Sequence, residues 1–241
     1  MEPTNRPYVV CHMLMALDGK IDGACMSAAC AKSYGQLRTT FDCRATIYGT
    51  KTMSGTYSDG LAPADLPACD TVWPHEDYAA QSDVHNFIVS ADPQGILGWN
   101  DKYIEKRGRP RAHVIEVLTE QVSNEYLAYL RKVDVSYVFA GKERLDCTLL
   151  LNKLKSLFQI DRLMLAGGGQ MNWSFAQEDL IDELSIILAP TADGSRSAAS
   201  LFERAAFLPQ RLPAVFHLKA VERLDDDGLW LRYTKACNNC S

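Results

Sequence analysis

Three consecutive glycines, Gly167, Gly168 and Gly169, separate an apolar run, Arg162 to Ala166, from a short segment of helical character, Asn172 to Glu178. Bare backbone at the end of a buried strand lets N–H groups approach a ligand closely. A helix starting there adds partial positive charge, which suits a pyrophosphate. The same glycines would also serve close helix–strand packing or a turn with positive φ. The run has neither a Walker nor a G-x-G-x-x-G frame. A second glycine-ended run, Ala45 to Gly49, leads into Thr50, Lys51 and Thr52, which offer two hydroxyls and one cation. Lys51 alone reads as a solvated lysine. Two such ends in one sheet would clasp a dinucleotide from both sides of a crevice.

Two other residue types invite chemistry. Asp18 follows the apolar run Tyr8 to Leu17, where it is either a reacting-site carboxylate or the opening of the "DGK" turn. His12, inside that run, is either a proton donor near neutrality or a core histidine satisfied by backbone. Metal and redox chemistry find no frame. "CNNC" at Cys237 and Cys240 is a single C-x-x-C without two further ligands, and the five histidines show no ligand spacing. Cys11, Cys25, Cys30, Cys43, Cys69 and Cys147 lie among apolar neighbours, as reduced core cysteines do.

The elements that must position these residues follow from periodicity. Strands are expected at Tyr8–Leu17, Ala45–Gly49, His85–Ser90, Arg111–Thr119, Val135–Ala140, Arg162–Ala166 and Leu184–Pro190. A helix capped by Ser27 carries Ala31, Tyr34, Leu37 and Phe41 on one face. Ser123 and Asp146 cap two more helices. Residues 55–84, with three prolines, read as a functional or disordered loop. The last two runs flank Asp225, Asp226, Asp227 and Gly228, a hairpin signal. Alternating strand and helix predicts α/β architecture, with a mixed, mostly parallel central sheet, helices on both faces and a C-terminal antiparallel hairpin. No repeat or linker divides the chain, so residues 1–241 are expected to form one domain.

Composition narrows the partners. Hydrophobic content of 47% and charged content of 23% are those of a globular protein, and a net charge of −5 argues against a general nucleic-acid binder. No apolar run reaches the roughly 20 residues that span a bilayer, and the N-terminus lacks a signal-peptide pattern, so a cytoplasmic protein is expected.

Four blocks in order, "LMALDGKIDG" (Leu14–Gly23), "QLRTTFDCRATIYGTKTM" (Gln36–Met53), "LMLAGGGQMNWSF" (Leu163–Phe175) and "LIDELSIILAP" (Leu180–Pro190), resemble the dihydrofolate-reductase-like superfamily. Within it, the chain is most similar to the reductase domain of riboflavin biosynthesis. The resemblance implies a three-layer sandwich, usually a homodimer. The implied activity reduces the ribosylamino side chain of a phosphorylated diaminopyrimidine or aminouracil with NADPH. It also implies coenzyme contacts at Met15, Gly49, Thr50, Lys51, Thr52, Gly167, Gly168, Gly169, Gln170 and Met171, with Ser90 near the 2′-phosphate. The basic residues of 102–111 would help there or simply be solvated. Asp18 would sit where nicotinamide and substrate meet, Arg38 would pair with the substrate phosphate, and Ser27 would add a hydroxyl.

The departures concern the substrate side. His12 replaces a lysine common among relatives, Ala16 a serine, Ala166 a glutamate and Thr56 an aspartate, unless Asp59 serves instead. A site that loses such polar partners changes its preference among substrates. A reductase of the same fold acting on a pterin or carbonyl, and a non-catalytic nucleotide-binding homologue, therefore stand beside the leading reading.

Overall fold

A computed structural model describes residues 5–23, 30–60, 66–106 and 108–236. In chain order these form β1 (Tyr8–Met15), α1 (Ala31–Leu37), a 3-10 turn (Arg38–Phe41), β2 (Ala45–Gly49), α2 (Thr50–Thr56), β3 (Asp59–Gly60) and β4 (Phe87–Ala91). There follow β5 (Leu97–Gly98), β6 (Tyr103–Ile104), β7 (Ala112–Leu118), α3 (Asn124–Lys132), β8 (Ser136–Phe139) and α4 (Cys147–Phe158). The chain ends with β9 (Arg162–Leu165), α5 (Gly169–Gln177), β10 (Glu183–Leu188), β11 (Phe216–Arg223) and β12 (Leu229–Lys235). Two compact units emerge: Arg44–Asp161 with the residues before Tyr8, and Tyr8–Cys43 with the chain from Arg162 onward.

In the unit built on Arg44–Asp161, β2, β4, β7 and β8 run parallel in sequence, and β6 pairs antiparallel with β7. All seven residues of β7 are buried. That is the pattern of a strand covered on both faces, where a continuous apolar run replaces alternation. Its helices begin as their sequences require. Ser123 accepts the Tyr126 N–H and Asp146 the Leu149 N–H, each cap contributing about 1 kcal/mol.

Residues 66–84 pack against β8. Tyr78 and Tyr137 exchange backbone bonds of 2.8 and 2.9 Å, and Ala80 N–H reaches Ser136 Oγ at 2.9 Å. Asp77 accepts both Phe139 N–H and Lys153 Nζ at 2.8 Å. The segment is a strap that occupies the outer edge of β8, whose backbone groups would otherwise lie unpaired.

The second unit joins the two ends of the chain. Its strands run β11-β12-β10-β1-β9, with β1 parallel to both β10 and β9. The acidic-glycine turn makes β11 and β12 the expected antiparallel hairpin. Val10, Phe41, Met164, Ile187 and Trp230 form a buried cluster, each large side chain worth about 1.5–3 kcal/mol of burial. Two expected boundaries move. The helix α1 starts at Ala31 after Cys30 in a left-handed conformation, φ 58°, with no side-chain cap; Ser27 lies outside the described residues. The helix α5 starts at Gly169 rather than Asn172, with Gly168 as its N-cap.

Candidate active site

In the second unit, β9 stops early. Its pairing with β1 ends at Cys11 opposite Leu165, whereas β10 follows β1 as far as Met15 opposite Leu188. At about 3.3 Å per residue, β9 falls roughly 13 Å short of its neighbour. The step is occupied by Ala166, the three glycines and the start of α5. Beyond it, β1 turns at Ala16–Gly19, where Gly19 has φ +81° and donates its N–H to Ala16 O at 2.9 Å. The turn requires a residue tolerant of positive φ.

The glycines have separate jobs. A Cβ on Gly167 would lie 2.6 Å from Met171 Cγ, and one on Gly169 would lie 2.3 Å from Ser200 O. Both are needed for packing. A Cβ on Gly168 would meet nothing within 4 Å, so this residue faces open space. None of the three has positive φ, which removes the turn explanation. Gly168 is also the N-cap of α5, which has no side-chain cap, so the first-turn N–H groups keep their affinity for an anion.

An arch formed by residues 190–204 holds this end together. Leu17 N–H donates to Thr191 O at 2.7 Å, Ile21 N–H to Ala199 O at 2.9 Å, and Glu203 N–H to Gly169 O at 3.0 Å. Lys20 Nζ donates to Ala198 O at 3.0 Å, and buried Asn172 donates to Leu201 O at 3.0 Å. The sequence reading singled out neither Lys20 nor Asn172. Their only signals were the lysine closing "LDGK" and an asparagine in an otherwise apolar helix face.

Asp18 belongs to the arch. Its exposed Oδ2 accepts Gly194 N–H at 2.8 Å and Asp193 N–H at 3.2 Å. The Gly194 bond leads the causes that hold its carboxyl below the usual carboxylate range, so it has no proton to give near neutrality. Asp18 is therefore an ionised anchor of the turn, present as a carboxylate and not as an acid.

His12 is likewise corrected as a proton donor. It is fully buried, with Nδ1 3.0 Å from Ser185 Oγ and Nε2 3.0 Å from Tyr34 O. A carbonyl only accepts, so Nε2 carries the hydrogen and Nδ1 accepts from Ser185, which in turn takes the Trp230 indole N–H at 2.8 Å. Burial first, with Arg38 adding a like-charge effect, lowers the imidazole pKa to about 4. Every polar atom of the ring is satisfied while it is neutral.

The remaining expected residues in this unit differ in exposure. Met15 and Met171 are half-buried, Gln170 is exposed, and the methyls of Ala16 and Ala166 are buried. Arg38 is half-buried on the 3-10 turn.

In the unit of β2, Gly49 is the uncapped N-cap of α2, and a Cβ there would meet nothing within 4 Å. Thr50 Oγ1 donates to Ala91 O at 2.6 Å, so its hydroxyl stitches α2 to β4. Lys51 is exposed and Thr52 half-buried. Thr56 lies at the far end of α2, about 9 Å along its axis from Thr50. Asp59 is in β3, paired with Gly98. Ser90 is fully buried in the middle of the sheet. Its hydroxyl cannot meet a phosphate from that position, which corrects the expectation of a 2′-phosphate contact. Among the described residues, no group of three or more His, Cys, Asp or Glu could hold a metal ion. Among them, too, no helix is long and apolar enough to cross a membrane.

A mixed sheet with an antiparallel C-terminal hairpin and a glycine step at a parallel strand end defines a protein of dihydrofolate-reductase-like fold. Residues 7–229 match the family described as the RibD C-terminal domain, and the chain belongs to that family. It is 29% identical over 209 residues to the 2,5-diamino-6-ribosylamino-4(3H)-pyrimidinone 5′-phosphate reductase of Methanothermobacter thermautotrophicus, covering 82% of this chain and 84% of the relative. Among solved structures it resembles Acinetobacter baumannii RibD, with a TM-score of 0.66 and 21% identity. That likeness covers 97% of this chain, which spans 59% of the length of the RibD chain. It also resembles a pyrimidine reductase-like protein from Corynebacterium diphtheriae, with a TM-score of 0.70 and 10% identity over 97% of this chain and 94% of the other.

Proposed function

We propose that this protein is an NADPH-dependent reductase. In this reading it converts the ribosylamino side chain of a phosphorylated diaminopyrimidine or aminouracil to a ribitylamino chain. Membership of the RibD C-terminal domain family and the name of the Methanothermobacter relative support the reaction. The observation that carries it is the open Gly168 at the uncapped start of α5, where β9 stops short of the end of β1.

The residues fit the coenzyme. Backbone N–H groups of Gly168, Gly169, Gln170 and Met171 would take its phosphate oxygens, and the absence of a Cβ at Gly168 permits close approach. The Gly49–Thr52 terminus, open at Gly49 and cationic at Lys51, has the same character in its own unit. When bound, the nicotinamide supplies hydride to the electrophilic carbon of the sugar chain. The protein's share is mostly positioning. Asp18, ionised, fixes the arch that borders the β1 end. Arg38 is the proposed partner of the substrate phosphate, where a guanidinium fork engages two oxygens at once. His12 retains its Nε2 proton on Tyr34 O, so the proton that completes the product comes from solvent.

A second reading is favoured by the buried methyls of Ala16 and Ala166. The polar groups carried by relatives at these positions are missing, so the acceptor would be a less polar carbonyl or a pterin. Both readings include a cytoplasmic homodimer. Support for pairing of two copies comes from β11, the outer strand of its sheet, with Leu218 60% and Val221 51% exposed.

The experiment has two arms. Fluorescence titration with NADPH and NADH measures coenzyme binding, and turnover of the phosphorylated diaminopyrimidine measures the reaction. Binding without turnover favours the second reading, which Ala166→Glu then tests by gain of pyrimidine reduction. No binding of either coenzyme overturns both.

A further inference from the structure

The unit built on Arg44–Asp161 buries two carboxyl groups that the proposed reaction does not use. Glu116 lies in β7 and is 0% exposed; Asp92, just after β4, is 1% exposed. Ser90 stands directly across from Glu116 in the β4–β7 pairing. Alternation along the strand puts Asp92, two residues on, at the same face. Asp92 N–H also donates to Val117 O at 3.1 Å, which keeps this residue against β7.

Hydrogen-bond donors are divided unequally between the two carboxyls. Asp92 Oδ2 accepts Ile96 N–H at 2.7 Å and Leu97 N–H at 2.9 Å, with the Tyr126 hydroxyl oxygen 3.4 Å away. Glu116 Oε1 accepts only the Trp99 indole N–H. Trp99 is itself held by Tyr129, whose hydroxyl bonds to both its backbone N–H and its carbonyl. Ser90 Oγ, Asp92 Oδ1 and Glu116 Oε2 are each buried without a hydrogen-bond partner, and the Asp92 charge acts on Glu116. Ser90 Oγ is near enough to bear on the Glu116 charge, yet not in bonding geometry. The titratable groups facing Glu116 are Asp92, just after β4, and Tyr126 and Tyr129 from α3. No described lysine or arginine pairs with either carboxyl.

Two carboxylates in one desolvated space do not both ionise. We propose that Asp92 and Glu116 hold one proton between them at neutral pH, with Glu116 the neutral acid and Asp92 the anion, and that this proton fastens the 92–99 turn to β7. The assignment follows from the donors. Two backbone N–H groups stabilise charge on Asp92, against the burial that raises it. Glu116 has one indole donor, and burial, then the Asp92 charge, pushes its carboxyl well above the usual range. A proton on Oε2 converts an orphan acceptor into a donor in a space that holds two acceptors, Asp92 Oδ1 and Ser90 Oγ.

The linkage has a definite sign. The folded chain keeps a proton that the unfolded chain releases above its carboxylate pKa. Stability from this group is complete below that value and is lost as pH rises. Its share of the folding equilibrium constant falls about tenfold per pH unit until Glu116 titrates in the folded state.

Urea unfolding of the full chain between pH about 6.5 and about 8.5 tests this, for the wild type and for Glu116→Gln. The two buried histidines contribute the same slope to both proteins, so the difference between them isolates Glu116. Glutamine keeps an oxygen for the Trp99 N–H and offers N–H to Asp92. The wild-type constant is expected to fall about tenfold more per pH unit than that of the variant. Infrared difference spectra at neutral pH should show a protonated-carboxyl C=O band in the wild type that is missing in the variant. Parallel pH slopes for the two proteins overturn the proposal. Absence of the band from the wild type also overturns it, and that reading stands even should the variant not fold.

Discussion

His12 Nδ1 lies 3.0 Å from Ser185 Oγ, so a residue placed like a catalytic acid is instead one link in a closed relay of hydrogen bonds. Trp230 donates to Ser185, Ser185 to His12, and His12 to Tyr34 O. The relay is complete with a neutral imidazole, in which Nε2 donates and Nδ1 accepts.

That relation predicts acid sensitivity. The pKa values of His12 and His113 are both lowered to about 4, chiefly by burial. The unfolded chain takes up these protons first, near pH 6.5, so stability is complete above that value and lost as pH falls towards 4. Each histidine contributes a slope of about 1.4 kcal/mol per pH unit. The proton retained near Glu116 opposes one of them. Urea unfolding between pH about 5 and about 6.5 should therefore show a net slope of about one proton, with maximal stability near pH 6.5. A net slope of two protons would support the histidines and count against the shared carboxyl proton.

The three glycines should respond differently to alanine. Gly167→Ala and Gly169→Ala force contacts of 2.6 and 2.3 Å, and are expected to cost about 1–3 kcal/mol as overpacking. Gly168→Ala meets no atom within 4 Å and should cost under about 1 kcal/mol, the difference between glycine and alanine at an N-cap. Its effect should appear as weaker NADPH binding in the fluorescence titration. An unchanged dissociation constant would leave the α5 terminus without a coenzyme.

Asp18→Asn should loosen the arch without altering the pH profile of turnover. The carboxylate is exposed and already ionised, held low by the Gly194 N–H. Hydrogen exchange at Gly194 should accelerate and KM should rise more than kcat falls. Loss of a limb of the kcat profile in this variant would instead restore Asp18 as an acid or base.

Asp77→Ala removes the acceptor for Phe139 N–H and Lys153 Nζ. It should cost about 1–3 kcal/mol, since a donor on the β8 edge loses its partner. Limited proteolysis should then cut within 66–84 sooner than in the wild type. Unchanged cleavage there would mean that Tyr78 and Ala80 hold the strap without it.

Much of the fold was readable because it rests on local patterns. The Ser123 and Asp146 caps, the "DDDG" hairpin and the apolar runs of β1, β7 and β10 each reflect interactions within a few residues. The glycine run marked a strand end with open backbone at Gly168, which a residue with a side chain would fill. Elsewhere the same letters were compatible with several roles. A histidine in an apolar run, an aspartate opening a turn and a serine ending a strand look alike whether they meet ligand or protein. Glu116, the one acid in "AHVIEVL", raised no signal, because its strand neighbours Ser90 and Asp92 are more than 20 residues away in the chain.

From the sequence alone came the order of the main strands and helices, the Ser123 and Asp146 caps, and the strand end that carries bare backbone, all consequences of spacing along one chain. Tertiary structure alone decided that Gly168 is open while its neighbours are packed, that His12 and Ser90 are sealed, and that Asp18 is an anchor. The reason is physical. Charge state and access depend on which distant groups desolvate or bond a side chain, and folding settles those neighbours across elements that spacing does not relate.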